Sequence, residues 1–224
     1  MRRYRFPYIA FKEILFPLVK GHNVFESKRN GYVPIEFKLL VSLRMLGRGS
    51  IADDMSEMSG VGVSTCYSIF HKFIKNFSAK MYDHYVQMPS GDRLRSIMRA
   101  YERMGMPGCI GSMDCTHIWW DNCPERYTNL CKDRTGHTTM SFQAIVGPNR
   151  EIFHVSVGFP GTYNDKSIAH QDDIVRQIMH GKLKDIDFIM FDLNGVPRKC
   201  KGAYVIVDGG YQKRACFMNP DKQT

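Results

Sequence analysis

Three aspartates in this sequence stand where a chain could do metal-assisted chemistry. Asp114 follows the strand-like run of residues 109–113, and Asp208 closes the apolar run of residues 203–207. Asp165 lies in Gly161-Thr162-Tyr163-Asn164-Asp165-Lys166-Ser167, ahead of a helical stretch. If the first and last of these runs are neighbouring strands, Asp114 and Asp208 converge at one edge of a sheet. Two carboxylates held close repel each other unless a cation lies between them. Carboxylate and water oxygens suit Mg²⁺ or Mn²⁺, and two such ions about 4 Å apart can assist phosphodiester cleavage. Asp114, Asp165 and Asp208 are thus the candidate catalytic and metal-holding residues.

Each acid also has a plainer explanation. Asp165 reads equally well as a helix N-cap, and Asp208-Gly209 as a turn. Asp114, flanked by Met113 and Cys115 in a strand-like segment, is expected to be poorly solvated. His117 fits either a partner of that acid or a satisfied histidine. Asp172, Asp173, Asp185, Asp187 and Asp192 read as surface or loop charges, and Trp119 and Trp120 as core. The sequence has no glycine-rich nucleotide loop and no nucleophile elbow.

The elements that must position the acids follow from periodicity. Residues 109–113, 140–146 and 152–158 are strand-like, the last two joined by Gly147-Pro148-Asn149. A helix is expected over residues 164–179, then a strand over 203–207. Three hairpin-linked strands, a crossover helix and a parallel strand open an RNase H-like fold, in which the first and fourth strands are adjacent. Ahead of Gly105-Met106-Pro107-Gly108 the pattern is helical, so the expectation is an α/β (α+β) chain with two parts. Residues 1–107 form a helical region and residues 108–224 a partial RNase H-like mixed sheet.

Within the helical part, residues 1–35 resist assignment. From Glu36 a mostly apolar helix runs to near Gly47. Ser50 with Asp53 has capping-box spacing, with Ile51, Met55 and Met58 on one face. Ser59-Gly60-Val61-Gly62 makes a turn, and residues 64–77 form a helix with Cys66, Ile69, Phe70, Phe73, Ile74 and Phe77 on its apolar stripe. Residues 78–104 are helical, with Asp92 a candidate cap. This is the helix-turn-helix pattern. Thr65, Ser68, His71, Lys72, Lys75 and Asn76 lie on the polar side of its last helix, where they could reach base edges and phosphates. A bare three-helix packing unit fits the same pattern.

Charge separates the two parts. Residues 1–107 carry 17 Lys and Arg against 9 Asp and Glu, while residues 108–224 carry 14 against 13. The basic excess therefore lies where phosphates would be met. The composition, 43% hydrophobic and 24% charged, is that of a globular chain. No run approaches the roughly 18 apolar residues of a membrane helix, and no secretion signal is read at the N-terminus, so no membrane partner is expected. Seven cysteines without a CxxC pair read as reduced thiols of an intracellular protein.

Gly111-Ser112-Met113-Asp114-Cys115-Thr116-His117-Ile118 with Asn122-Cys123-Pro124, the run from Val157 to Ser167, and Val207-Asp208-Gly209-Gly210-Tyr211 together resemble the three catalytic blocks of PIF/Harbinger-type transposases. The likeness is strongest to their plant-transposon branch and extends from about Phe37 to the end. It implies an RNase H-like DDE endonuclease dependent on Mg²⁺ or Mn²⁺, acting on double-stranded DNA in the nucleus. By the same resemblance Asp114 is the first acid, Asp208 the second, and Asp165 an additional acid beside the metal. A separate DNA-binding partner protein is also implied, and a homo-oligomer fits the resemblance. The family's glutamate falls past Thr224, which implies an impaired nuclease. The alternatives are a co-opted DNA-binding protein without catalysis, and a metal or interaction protein on the same fold.

Overall fold

Glycine and proline punctuation divides the chain as the helical and strand periods suggest, with a shifted boundary. The structure, a computed structural model, describes residues 4–25 and 33–220. It separates into two units, Met1–Tyr85 and Val86–Thr224.

In the first unit, α1 (Tyr8–Ala10), a wide π turn (Phe11–Leu15) and α2 (Phe16–Gly21) follow one another without a break. The wide turn lies just ahead of Pro17, which has no N–H to continue the regular ladder. Helix α3 (Ile35–Arg48) stops at Gly49, whose left-handed φ of 66° lets its N–H return to the Met45 carbonyl. Helix α4 (Ala52–Ser59) ends the same way at Gly60, φ 69°. Helix α5 (Val63–Tyr85) runs on beyond Phe77. Leu15, Val19, Leu39, Met55, Cys66, Ile69 and Phe73 are among the residues of one shared core. The expected capping box at Ser50 does not form: Ile51 takes the N-cap position with no side-chain hydrogen bond. Of the face expected on α4, only Met55 is buried, while Ile51 and Met58 are exposed.

Residues 86–90, including Pro89, end the long helix. Helix α6 (Gly91–Arg103) then buries Ile97 and Tyr101 in the core of the sheet unit. Residues 86–107, grouped above with the helical region, therefore fold with the sheet. Asp92 sits inside the first turn of α6; Ser90 takes the cap position.

Across the sheet the strands lie in the order Ile152–Val155, Thr139–Val146, Cys109–Trp119, Tyr204–Ile206 and Phe217–Met218. Strand β1 (Cys109–Trp119) is longer than the run of residues 109–113, because it pairs antiparallel with β2 (Thr139–Val146) from Ser112↔Val146 to Trp119↔Thr139. The unforeseen helix α7 (Glu125–Cys131) is inserted between them. Strand β3 (Ile152–Val155) pairs with one end of β2, and the short β4 (Phe159–Pro160) with the other. The expected helix over 164–179 is two, α8 (Asp165–Gln171) and α9 (Asp173–Gln177), the latter continuing as a π turn (Ile178–Lys182). Asp172 breaks them apart and caps α9 by accepting from the N–H groups of Ile174 and Val175, each at 3.0 Å. It is 3% exposed and bonded at 2.7 Å to His154, so it is no surface charge.

A second unforeseen element, the hairpin of β5 (Asp187–Phe191) and β6 (Pro197–Lys201), stands apart as its own two-stranded sheet. Strand β7 (Tyr204–Ile206) then lies parallel to β1, and β8 (Phe217–Met218) parallel to β7. The first strand and the strand after the crossover helices are neighbours, as the RNase H-like order requires. All seven cysteines are free.

Candidate functional site

The parallel pairing of β1 with β7 sets the position of two acids. Its register matches Ser112 to Ile206, and Asp114 and Asp208 each lie two residues further along their own chain. Both therefore come to the same rim. Up to Met113 strand β1 is mostly buried; from Asp114 onward it is mostly exposed. Asp114 is thus solvated, contrary to the expectation of a desolvated acid, and its Oδ1 accepts the N–H of Cys115 at 2.8 Å. Asp208 follows the buried Val207, and its Oδ1 accepts the Gly210 N–H at 2.9 Å.

Asp165 joins them from the helix side. The cap of α8 is Asn164, whose Oδ1 accepts the Ser167 N–H at 2.9 Å. Asp165 is the first residue of the helix proper, so its carboxylate is not occupied with capping. A Cβ placed on Gly210 would overlap Asp165 Oδ2 and lie 3.0 Å from Asp208 Oδ1. Those two carboxylates flank one glycine, and the absence of a side chain there lets them approach.

Behind the acids lies a buried polar cluster. The Tyr211 hydroxyl donates to Gln143 Oε1 at 3.1 Å and lies 3.3 Å from Cys115 Sγ. Burial pushes the Cys115 thiol up to about 12; the nearby Tyr211 hydroxyl counters this, while Asp165 and Asp114 add to it. The same burial, Cys115 and the same two acids push Tyr211 far above the ordinary phenol value. Both side chains therefore stay neutral within the field of Asp114 and Asp165. Gln143 Nε2 is buried with no hydrogen-bond partner. His117 is 3.0 Å from Thr139 Oγ1 and 3.1 Å from Ser141 Oγ through Nδ1, which is the satisfied-histidine arrangement. Among the described residues, no group of three or more His, Cys, Asp or Glu is disposed to hold a metal ion.

The residues expected to meet DNA all lie on α5. His71 and Lys75 are exposed, and Thr65, Ser68, Lys72 and Asn76 are half-buried. Tyr67, absent from that expectation, stacks on His71 with ring centroids 6.1 Å apart. Asn76 has a structural bond: its Nδ2 donates to the Val24 carbonyl at 2.8 Å. Burial, and then the charge of Lys72, lower the pKa of Lys38. Lys38 is only 6% exposed and sits over the Phe25 ring.

Sequence reasoning missed the surroundings of Asp165. The acid lines an open groove of about 560 Å³ together with His117, Lys132, Arg134 and Thr162. The signal for it lay in the polar run between α7 and β2, which carries two cations. No described helix is long and apolar enough to cross a membrane.

Comparison with known proteins gives a consistent picture. Residues 83–223 match the family described as plant transposon protein. A protein of Arabidopsis thaliana named ALP1-like is 27% identical over 199 residues, which is 88% of this chain and 47% of the relative. A second Arabidopsis thaliana protein, named antagonist of like heterochromatin protein 1, is 26% identical over 128 residues, covering 57% of this chain and 32% of that one. The chain thus spans about half the length of the first relative and a third of the second. No solved structure matches.

Proposed function

The chain belongs to the plant transposon protein family, the branch its three motif blocks resemble, and from that premise we propose that it binds double-stranded DNA through its helical unit and cleaves phosphodiesters at the Asp114–Asp165–Asp208 rim. The observation that carries the catalytic half is the parallel β1–β7 register, which sends Asp114 and Asp208 to one edge. The helical unit supports the binding half with its basic excess and the exposed His71 and Lys75 of α5. Work on chromosomal DNA would place the protein in the nucleus, with a separate DNA-binding partner and self-association as further parts of the same reading.

The donor set is all carboxylate oxygen, which fits Mg²⁺ or Mn²⁺ and disfavours softer ions. Asp165 and Asp208 already flank Gly210, and Asp114 is exposed at the same edge, with its Oδ1 accepting the Cys115 N–H. A bound ion of this kind would stabilise charge developing on the phosphoryl oxygens. The Gly210 N–H holds Asp208 in place, and Cys115 and Tyr211 close the floor beneath Asp165 with neutral groups.

A second reading, a DNA-binding protein without cleavage, rests on the basic excess of the helical unit and the exposed His71 and Lys75 of α5 alone. Nicking of supercoiled plasmid by the full chain with Mg²⁺ or Mn²⁺ separates the two. We expect weak nicking, in keeping with the impaired nuclease that the resemblance implies, and its disappearance in Asp114→Asn. Duplex binding with no nicking under either ion supports the second reading, and absence of both overturns the proposal.

A further inference from the structure

The groove beside Asp165 has a rigid, cationic lip. Asp133 Oδ1 accepts the Thr135 N–H at 2.8 Å, the Thr135 hydroxyl at 2.7 Å and the His137 N–H at 3.1 Å. These bonds use the only acid on the lip to shape the lip itself. Lys132 and Arg134 line the groove and are exposed. Among the described residues, neither forms an ion pair. At the base of the same loop, His137 stacks on Trp119, with ring centroids 4.8 Å apart and planes 17° from parallel.

Trp119 has the residue type of a core side chain, yet it is 65% exposed at the far end of β1. An indole held flat by one ring, with so much surface in water, is an open stacking face. Such a face accepts any nucleobase, but only one that is not already stacked in a duplex. Cations a few residues away fit the phosphates that accompany such a base.

We propose that this lip, Lys132 and Arg134 with the Trp119–His137 stack, holds an unpaired stretch of DNA strand and leads it along the groove to Asp165. The proposal rests on the reading of the chain as DNA-acting and deepens it: the acid rim receives single-stranded DNA, while duplex is held by the helical unit.

The chain has two tryptophans. Trp120 is half-buried and stacks on Tyr127, so Trp120→Phe leaves Trp119 as the reporter. In the 224-residue Trp120→Phe chain with EDTA present, titration with a short oligothymidylate is expected to quench Trp119 saturably. A duplex of equal length is expected to bind with little quenching. Lys132→Ala/Arg134→Ala in this background should weaken the quenching titration at least about fivefold. Trp119→Ala, followed by anisotropy of a labelled oligothymidylate, should weaken binding roughly 5- to 100-fold. His137→Ala, which keeps the fluorophore, guards against misreading a local change at Trp119. Duplex binding without strand-specific quenching, or affinities unchanged in these variants, overturns this inference alone. Failure to bind either form of DNA overturns the underlying reading as well.

Discussion

The two units present charge in opposite ways. In the helical unit 13 Lys and Arg stand against 7 Asp and Glu, and under the proposed DNA binding each cation would act through a screened, additive attraction. In the sheet unit, 18 Lys and Arg stand against 15 Asp and Glu, and what matters is where strand pairing and the start of α8 put three carboxylates. A surface of the first kind tolerates the loss of one residue; a rim of the second kind does not. The difference teaches that net charge can locate a binding face but says nothing about a site built by register.

That contrast can be broken or sharpened by substitution. The largest effect on stability is expected in the sheet unit. Asp172→Ala removes a buried carboxylate that caps α9 and bonds His154, and should destabilise by about 3 kcal/mol in urea unfolding. Burial raises the Asp172 pKa, but the His154 bond and the Val175 and Ile174 N–H groups outweigh it and leave the group below the ordinary carboxylate value. Its contribution is therefore full above the unfolded pKa of about 4 and is lost as the pH falls through the lower folded value. Acid unfolding of the variant should show a shallower dependence in that window.

Next comes Gly210→Ala. The new Cβ meets the far ends of Asp165 and Asp208, which can rotate away. Stability should change by no more than about 1 kcal/mol, while Mn²⁺ affinity falls by about tenfold or more in calorimetric titration. A retained affinity would show that the two carboxylates need not share that space.

In the helical unit the effects should be graded. Lys72→Ala and Lys75→Ala should each lower the slope of log affinity against log salt by about 0.9 on any duplex. An unchanged slope would remove α5 from the DNA face. The smallest effect is expected at Asn76, where replacement by Ala loses the bond to Val24 and should cost about 1 kcal/mol of stability. A large loss of DNA affinity with little change in stability would instead make Asn76 a contact residue.

Much of this arrangement was legible in the sequence. The apolar run ending at Asp208 follows from strand periodicity, and the crossover helix between strands foretells a parallel pair; the switch in burial after Met113 does not, since Asp114 between Met113 and Cys115 reads as desolvated yet is exposed. Asn164 and Asp165 compete for one cap on paper, and only the backbone hydrogen bond from Ser167 settles which takes it. Trp119 looks like core because apolar content does not say that β1 runs on past the buried part of the sheet. The β5–β6 hairpin escaped notice because its exposed Ile189, Phe191 and Leu193 break the usual inside–outside alternation. Ser50 and Asp53 fit the capping box by spacing alone, yet Ile51 occupies the cap position and no side chain bonds the helix end.

The central claim is that carboxylates from adjacent parallel strands and from the crossover helix between them gather around one hard cation. Paramagnetic broadening of backbone amide signals by substoichiometric Mn²⁺, followed by NMR on the full chain, tests it directly. The account predicts selective broadening at residues 113–115, 165–166 and 208–210, abolished by Asp208→Asn. Broadening centred elsewhere, or a pattern untouched by that substitution, would contradict it.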